Sequence, residues 1–241
     1  MHPTSTTTTM PSSIWEVKWV VVLIRERLGR MLPPTIPVFP LPNVVLFPNV
    51  FLPLHIFEPR YRAMVGDALG GDRIIGMALL RPGHETDYEG RPPIYSVGCA
   101  GVITHSEPMA DGRYNIVLRG LEKFRVTAED RSRPYRIAHI EAMPELVHES
   151  DRPPLRQQRH RLEAVLAAAL ERTGAEPRFP PAVADEDLVN ALAQYMELDP
   201  LERQALLERD GILARCRGLI ELLEMKSLAP RGTSWKGGSR H

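Results

Sequence analysis

The chain has 241 residues, with 30 basic and 30 acidic side chains and no net charge, 43% hydrophobic and 25% charged. This is the composition of an ordinary soluble globular protein, long enough for one sizeable domain or two small ones. The charge balance argues against a surface built to neutralise many phosphates, so nucleic acid is not the expected partner.

Residues 1–33 read as an extension, either disordered or an artefact of the assigned start. Threonines crowd positions 4–9, and Met31-Leu32-Pro33-Pro34 offers a second start. The apolar run Trp19-Val20-Val21-Val22-Leu23-Ile24 is flanked by Glu16, Lys18, Arg25, Glu26 and Arg27. It is shorter than the ~20 residues of a spanning helix and lacks the order of a signal peptide. No membrane association is expected.

Residues 34–148 read as a β-rich domain. Apolar or β-branched runs between turn signals predict strands at 36–40, 50–56, 73–80, 98–105, 114–121, 122–127 and 135–141. Asp111-Gly112 marks a hairpin turn, since both residue types tolerate positive φ. The prolines at 37, 40, 42, 48 and 53 cannot donate to a ladder and belong at strand ends, edges or bulges. One helix interrupts this region. Pro59 suits its first position, Tyr61, Met64, Val65, Ala68 and Leu69 share one face, and Gly70-Gly71 ends it.

Residues 149–228 read as an antiparallel helical bundle. The first helix carries Leu155, Leu162, Val165, Leu166, Ala169 and Leu170 on one side and stops at Gly174. A proline-bearing loop spans 175–184, and Asp185 is the expected cap of a second helix with Leu188, Leu192, Tyr195 and Met196 inward. Asp199-Pro200-Leu201-Glu202 reads as a capping box opening a third. Asp210 is the expected cap of a fourth, with Cys216, Leu219 and Ile220 on its buried face. Residues 229–241, rich in Gly, Ser and basic side chains, read as a disordered tail.

Phe39-Pro40-Leu41-Pro42-Asn43-Val44-Val45-Leu46-Phe47-Pro48, followed by Leu52-Pro53-Leu54-His55-Ile56-Phe57-Glu58-Pro59-Arg60-Tyr61-Arg62, resembles the opening of the N-terminal substrate-binding domain of the Lon protease family. Asp111-Gly112-Arg113-Tyr114-Asn115 with Gly120-Leu121-Glu122-Lys123-Phe124-Arg125 resembles a second element of that family, and 198–208 a weaker third. The resemblance covers roughly 36–226. It implies an α+β fold: a β-rich, PUA-like pseudo-barrel followed by a C-terminal helical bundle. It also implies a domain that helps a protease select polypeptides, with unfolded or client chains and an ATP-dependent protease as partners.

The chemistry of the whole machine is not legible here. No G-x-x-x-x-G-K-[ST] loop occurs, so no phosphate cradle of that type is encoded. Lys18, Lys123, Lys226 and Lys236 lie in contexts unsuited to the depressed-pKa base of a Ser-Lys peptidase. The histidines at 55, 84, 105, 139, 148 and 160 have no metal-ligand spacing. Cys99 and Cys216 form neither a disulfide framework nor a zinc pattern, which fits a reducing cytosol. No catalytic residue, metal or cofactor is therefore expected. Asp185-Glu186-Asp187 is better explained by the helix dipole than by acid–base chemistry.

Binding would instead need exposed apolar surface. Phe47, Phe51, Leu52 and Leu54, with Val50, are too many large apolar residues for alternate inward positions alone, so part of the run is a candidate peptide-binding patch unless helices cover it. A proline-broken sheet edge could also take a peptide by strand addition. Glu58, Arg60 and Tyr61 form a polar corner that either fixes a strand-to-helix junction or borders a groove. The alternative is a nucleic-acid-binding barrel using Arg113, Arg119, Lys123, Arg125, Arg131, Arg133 and Arg136, with Tyr114, Phe124 and Tyr135 as platforms.

Overall fold

The computed structural model describes residues 32–83, 91–171 and 183–228. The expectations for the N-terminal extension, for most of the 175–184 loop and for the tail from 229 lie outside these residues.

Six strands form one mixed sheet: β1 (Thr35–Leu41), β2 (Phe51–Ile56), β3 (Ile74–Leu79), β4 (Val97–Pro108), β5 (Tyr114–Asp130) and β6 (Arg136–Met143). Its order is β2-β5-β4-β3-β1-β6, and β5 also pairs with β6. That pairing closes β1, β3, β4, β5 and β6 into a ring and leaves β2 as an edge strand on β5. Helix α1 (Pro59–Gly70) follows β2. Four more helices end the fold: α2 (Arg152–Glu171), α3 (Asp185–Tyr195), α4 (Pro200–Leu207) and α5 (Gly211–Leu228).

The prolines find their places because β1 is paired on one side at a time. Residues 35–38 pair antiparallel with β6, and residues 38–41 pair parallel with β3. Pro37 and Pro40 thus each sit beside a single neighbour, where a missing N–H breaks no continuous ladder. Pro53 lies on the edge strand β2.

Two expected strands, 114–121 and 122–127, are one. β5 runs through Gly120, and its pairing with β4 takes up the irregularity as register shifts at Ala100/Gly101 and Ile103/His105. A Cβ at Gly120 would collide with the Phe47 carbonyl, so glycine there serves close backbone approach rather than strand termination. The Asp111-Gly112 turn is present, with Gly112 at φ 79°. The Arg62 guanidinium lies where a Gly112 side chain would be, which ties α1 to this hairpin.

The helix starts follow two rules. At α4 the capping box forms in both directions: the Asp199 side chain accepts from the N3 backbone, and the Asp199 N–H donates to Glu202 Oε2 at 2.8 Å. At α3 the expected cap fails. Ala184 is the N-cap, and Asp185 lies one position inside, accepting from Arg159 Nη1 at 2.8 Å. The pull of a guanidinium on the neighbouring α2 outweighs the local cap. Tyr195 also departs from expectation: it faces out from the end of α3 and is 65% exposed.

One core runs through both the strands and the helices. Leu46, Phe47, Met77, Cys99, Ile116 and Leu118 from the strand region join Met64 and Val65 of α1, and Leu162, Val189, Leu206, Cys216 and Leu219 of the later helices. Burial pushes the Cys99 thiol up to about 12 and the Cys216 thiol up to about 11, so both act as small apolar groups. Polar links cross the same boundary: Phe47 N–H donates to Gln194 Oε1 at 3.1 Å, and Gln204 Nε2 donates to the Val97 carbonyl at 3.0 Å.

Among the described residues no helix is long and apolar enough to cross a membrane. No cluster of three or more His, Cys, Asp or Glu there is arranged to hold a metal ion.

Candidate functional site

β2 presents different chemistry on its two faces and along its open edge. Side chains alternate, so Leu52, Leu54 and Ile56 turn toward the core, the first two half-buried and Ile56 fully. Phe51, Pro53 and His55 face outward, and Phe57 continues the exposed row. Phe51 is 50% exposed and Phe57 is 60% exposed. The two rings stand at the ends of this outward row, with Pro53 and His55 between them.

The backbone of the same strand is open on one side. The Val50 carbonyl accepts from Gly120 N–H at 2.9 Å and therefore points at β5. Alternation then turns the carbonyls of Phe51, Pro53 and His55 to the free edge. Tyr195 takes the first of these, its hydroxyl donating to the Phe51 carbonyl at 2.7 Å. Pro53 contributes no donor. Strand addition along this edge is therefore limited, whereas side-chain contact with Phe51, Phe57 and the Tyr195 ring is open.

Polar neighbours hold the edge in place. His55 Nδ1 lies 2.8 Å from Asn115 Oδ1, and Asn115 Nδ2 donates to Glu107 Oε2 at 3.1 Å. His55 also stacks near Phe57, with ring centroids 6.3 Å apart and 26° between the planes. Arg113 pairs with Asp111 at 2.6 Å. The Asp111 carboxyl is held below its ordinary value, first by the Arg113 backbone N–H and then by the Arg113 side chain. His55 is thus an exposed, hydrogen-bonded edge residue.

Of the residues expected to form a peptide-binding patch, Phe51 is on it, and Leu52 and Leu54 sit half-buried behind it. Phe47 is not part of it. It is fully buried, its N–H held by Gln194 and its ring 5.5 Å from the Arg215 guanidinium carbon. Tyr61 is also a core residue, its ring 4.4 Å from that of Phe39. Glu58 is the N-cap of α1 without a side-chain cap bond; its carboxylate instead pairs with Arg60 at 3.0 Å. The Arg60 guanidinium lies 4.6 Å from the Tyr61 ring centroid. Sequence reasoning missed Phe57 and Tyr195. Phe57 continues the outward parity of Phe51, which was the available signal; for Tyr195 helical spacing pointed the wrong way.

Four of the basic residues that carried the nucleic-acid alternative, Arg113, Lys123, Arg133 and Arg136, are paired with carboxylates. Lys123 is buried against Glu145 at 2.7 Å, Arg136 pairs with Glu129, and Arg133 lies 3.4 Å from Asp67. Two of the three proposed platforms, Phe124 and Tyr135, are buried.

Lys123 belongs to a charge cluster where the strands meet the helices. Arg215 is wholly buried and grips Glu145 with both terminal nitrogens, at 2.9 and 2.7 Å. It also donates to Asn190 Oδ1 at 2.7 Å and to the Leu206 carbonyl at 3.1 Å, while Lys123 donates to the Arg209 carbonyl at 2.9 Å. A cavity of about 290 Å³ borders the cluster, with Glu122, Leu146 and Ile212 on its walls; burial pushes the Glu122 carboxyl up. A more apolar cleft of about 350 Å³ lies between Leu79, Leu80 and Pro82 on one side and Pro200 and Leu201 on the other.

The comparisons with known proteins agree with this architecture. Residues 35–225 match the family described as the ATP-dependent protease La (LON) substrate-binding domain, and the match extends to no protease or ATPase domain. "Lon protease 2" of Myxococcus xanthus is 27% identical over 203 residues, which is 81% of this chain and 24% of that protein. This chain therefore spans about a quarter of the length of such relatives. The N-terminal domain of a Mycobacterium avium complex Lon protease has the same fold, with TM-score 0.57 and 20% identity over 79% of this chain and 98% of that one. So does a Lon N-terminal domain protein from Xanthomonas campestris, with TM-score 0.53 and 23% identity over 81% and 99%. With the match running from β1 into α5, the chain belongs to the LON substrate-binding domain family.

Proposed function

We propose that this chain is a non-enzymatic recognition module that holds unfolded or client polypeptide segments on the outward face of β2 and works beside an ATP-dependent protease in the cytosol. The observation that carries this is the exposure of Phe51 on the edge strand and of Phe57 just beyond its end, beside the Tyr195 and Asn115 hydrogen bonds to that strand. Family membership supports a polypeptide as the class of ligand, and the exposed rings support β2 as the place. In this reading residues 34–148 act as a PUA-like pseudo-barrel and residues 149–228 as a helical bundle that braces it. Leu52 and Leu54 support the patch from behind, and Glu58 and Arg60 border it.

The magnitudes fit weak, selective capture. Covering the exposed half of one phenylalanine is worth roughly 2 kcal/mol at most, and association costs consume part of it. Several weak apolar contacts suit a surface that must accept varied chains and release them. Binding should resist salt, because no ion pair dominates the patch.

The test is fluorescence anisotropy of a labelled, permanently unfolded polypeptide titrated with the protein. Saturable binding that survives high salt and weakens about tenfold or more in Phe51→Ser supports the reading. An absence of binding under conditions where the protein stays folded removes it.

A further inference from the structure

The apolar cleft of about 350 Å³ shares no wall residue with the β2 face. Leu79 and Leu80 at the end of β3, with Pro42 and Pro82, form one side, and Pro200 and Leu201 of α4 form the other. Leu201 is 50% exposed although it stands beside these apolar walls. The polar lining is Asp199, Glu202 and Arg81. Arg81 is engaged elsewhere: its Nε donates to the Ile94 carbonyl at 3.2 Å, and its guanidinium carbon lies 5.4 Å from the Tyr95 ring centroid. A half-exposed leucine next to other apolar side chains gains free energy from whatever ring covers it.

The chain itself leads an occupant to this place. The last turn of α5 reaches the first turn of α4, where Lys226 Nζ lies 2.9 Å from Glu202 Oε2, and Glu202 is part of the cleft lining. The helix ends two residues later, at Leu228, and Ala229-Pro230 disfavours its continuation. Residues 229–241 carry one large apolar side chain, Trp235, and the cations Arg231, Lys236 and Arg240, with no acid. Trp235 lies seven residues beyond Leu228. Such a stretch spans up to about 25 Å, ample for a chain that leaves beside the cleft.

The chemistry of the two matches. The volume stands at the lower end of pockets that take small ligands, which suits one bicyclic ring rather than a length of peptide. An indole needs apolar walls for its faces and an acceptor for its N–H. The leucines and prolines supply the walls, and the Asp199 or Glu202 carboxylate supplies the acceptor. Lys236, next to the ring, is opposite in charge to those carboxylates. The segment 84–90 also starts near the cleft, directly after Pro82-Gly83, but it carries Glu85, Asp87 and Glu89, the same sign as Asp199 and Glu202. We infer that the C-terminal tail folds back and seats the Trp235 ring in this cleft, with Lys236 against its acidic rim. The tail then closes this surface to other chains.

The test uses the full chain with ¹³C-labelled leucine methyl groups. The ring current of Trp235 should displace the Leu80 and Leu201 methyl resonances. Trp235→Ala should abolish that displacement while the Leu52 and Leu54 methyls on β2 stay in place. Unchanged Leu80 and Leu201 resonances in this variant overturn the inference. A second arm reads the ring itself, by acrylamide quenching of Trp235 emission in a chain carrying Trp15→Phe and Trp19→Phe. Leu201→Ser, a change at a half-exposed position, should raise quenching severalfold; quenching that stays at its starting level overturns the inference as well. Three further outcomes assign the cleft to another occupant and overturn it. A displacement that vanishes in Tyr88→Ala points to segment 84–90. One that grows with protein concentration points to a second copy of this chain. One that appears only when an unfolded polypeptide is added points to a client.

Discussion

Where the strands meet the helices, the protein buries charge; at the β2 edge, it exposes aromatic carbon. Each region reverses the usual distribution, and the difference between them lies in how each is completed. Lys123, Glu145, Arg215 and Asn190 satisfy one another and three backbone carbonyls, so the junction is closed. Phe51 is 50% and Phe57 60% exposed, with half or more of each side chain left uncovered. A completed inversion joins parts of a fold. An incomplete one leaves free energy available to a partner.

Breaking the junction should have the largest effect. Glu145→Ala leaves Lys123 and Arg215 buried without their counter-charge, and the expected loss is about 3–5 kcal/mol, read as a lower midpoint in urea unfolding. A change within experimental error would mean that water or another carboxylate takes over, and that the cluster does not join the two parts. Gly120→Ala probes the place where β5, Phe47 and the start of β2 crowd together. The clash with the Phe47 carbonyl should cost about 1–3 kcal/mol and loosen the β2 edge with it.

Tyr135→Phe sharpens the comparison with a polar contact at the margin. Its hydroxyl donates to Asp67 Oδ2 at 2.6 Å, and losing that bond should cost about 1 kcal/mol. Burial first, and then Asp67, push the Tyr135 phenol from 10.0 up to about 12. The folded state therefore favours the neutral phenol. Its contribution is complete below pH 10 and is lost as pH rises toward about 12. The stability gap between the wild-type protein and Tyr135→Phe should close across that window. A gap that stays constant to pH 12 would contradict the assignment. The smallest stability effect belongs to Phe51→Ser with Phe57→Ser. Exposed positions of this kind change stability by no more than about 0.5 kcal/mol.

Much of this was legible because local chemistry decided it. The prolines of 37–53 announced a strand region paired intermittently. Pro59, the Asp111-Gly112 turn and the Asp199–Glu202 capping box each act within a few residues, and each appears in the structure. What failed depended on distant partners. β5 carries on through the break expected between Leu121 and Glu122, and what Gly120 packs against, the Phe47 carbonyl, is remote in sequence. Asp185 looked like a cap until Arg159 claimed it. Phe47 and Phe51 were indistinguishable within one proline-broken apolar run, and only Gln194 and Arg215 show why the first goes inward.

The measurement that tests the central claim most directly pairs two readings on one protein, Phe51→Ser with Phe57→Ser: its affinity for an unfolded polypeptide and its urea unfolding midpoint. The account predicts that Kd rises about tenfold or more while the midpoint stays with the wild type. An unchanged Kd, with the fold intact, would contradict recognition at the β2 edge.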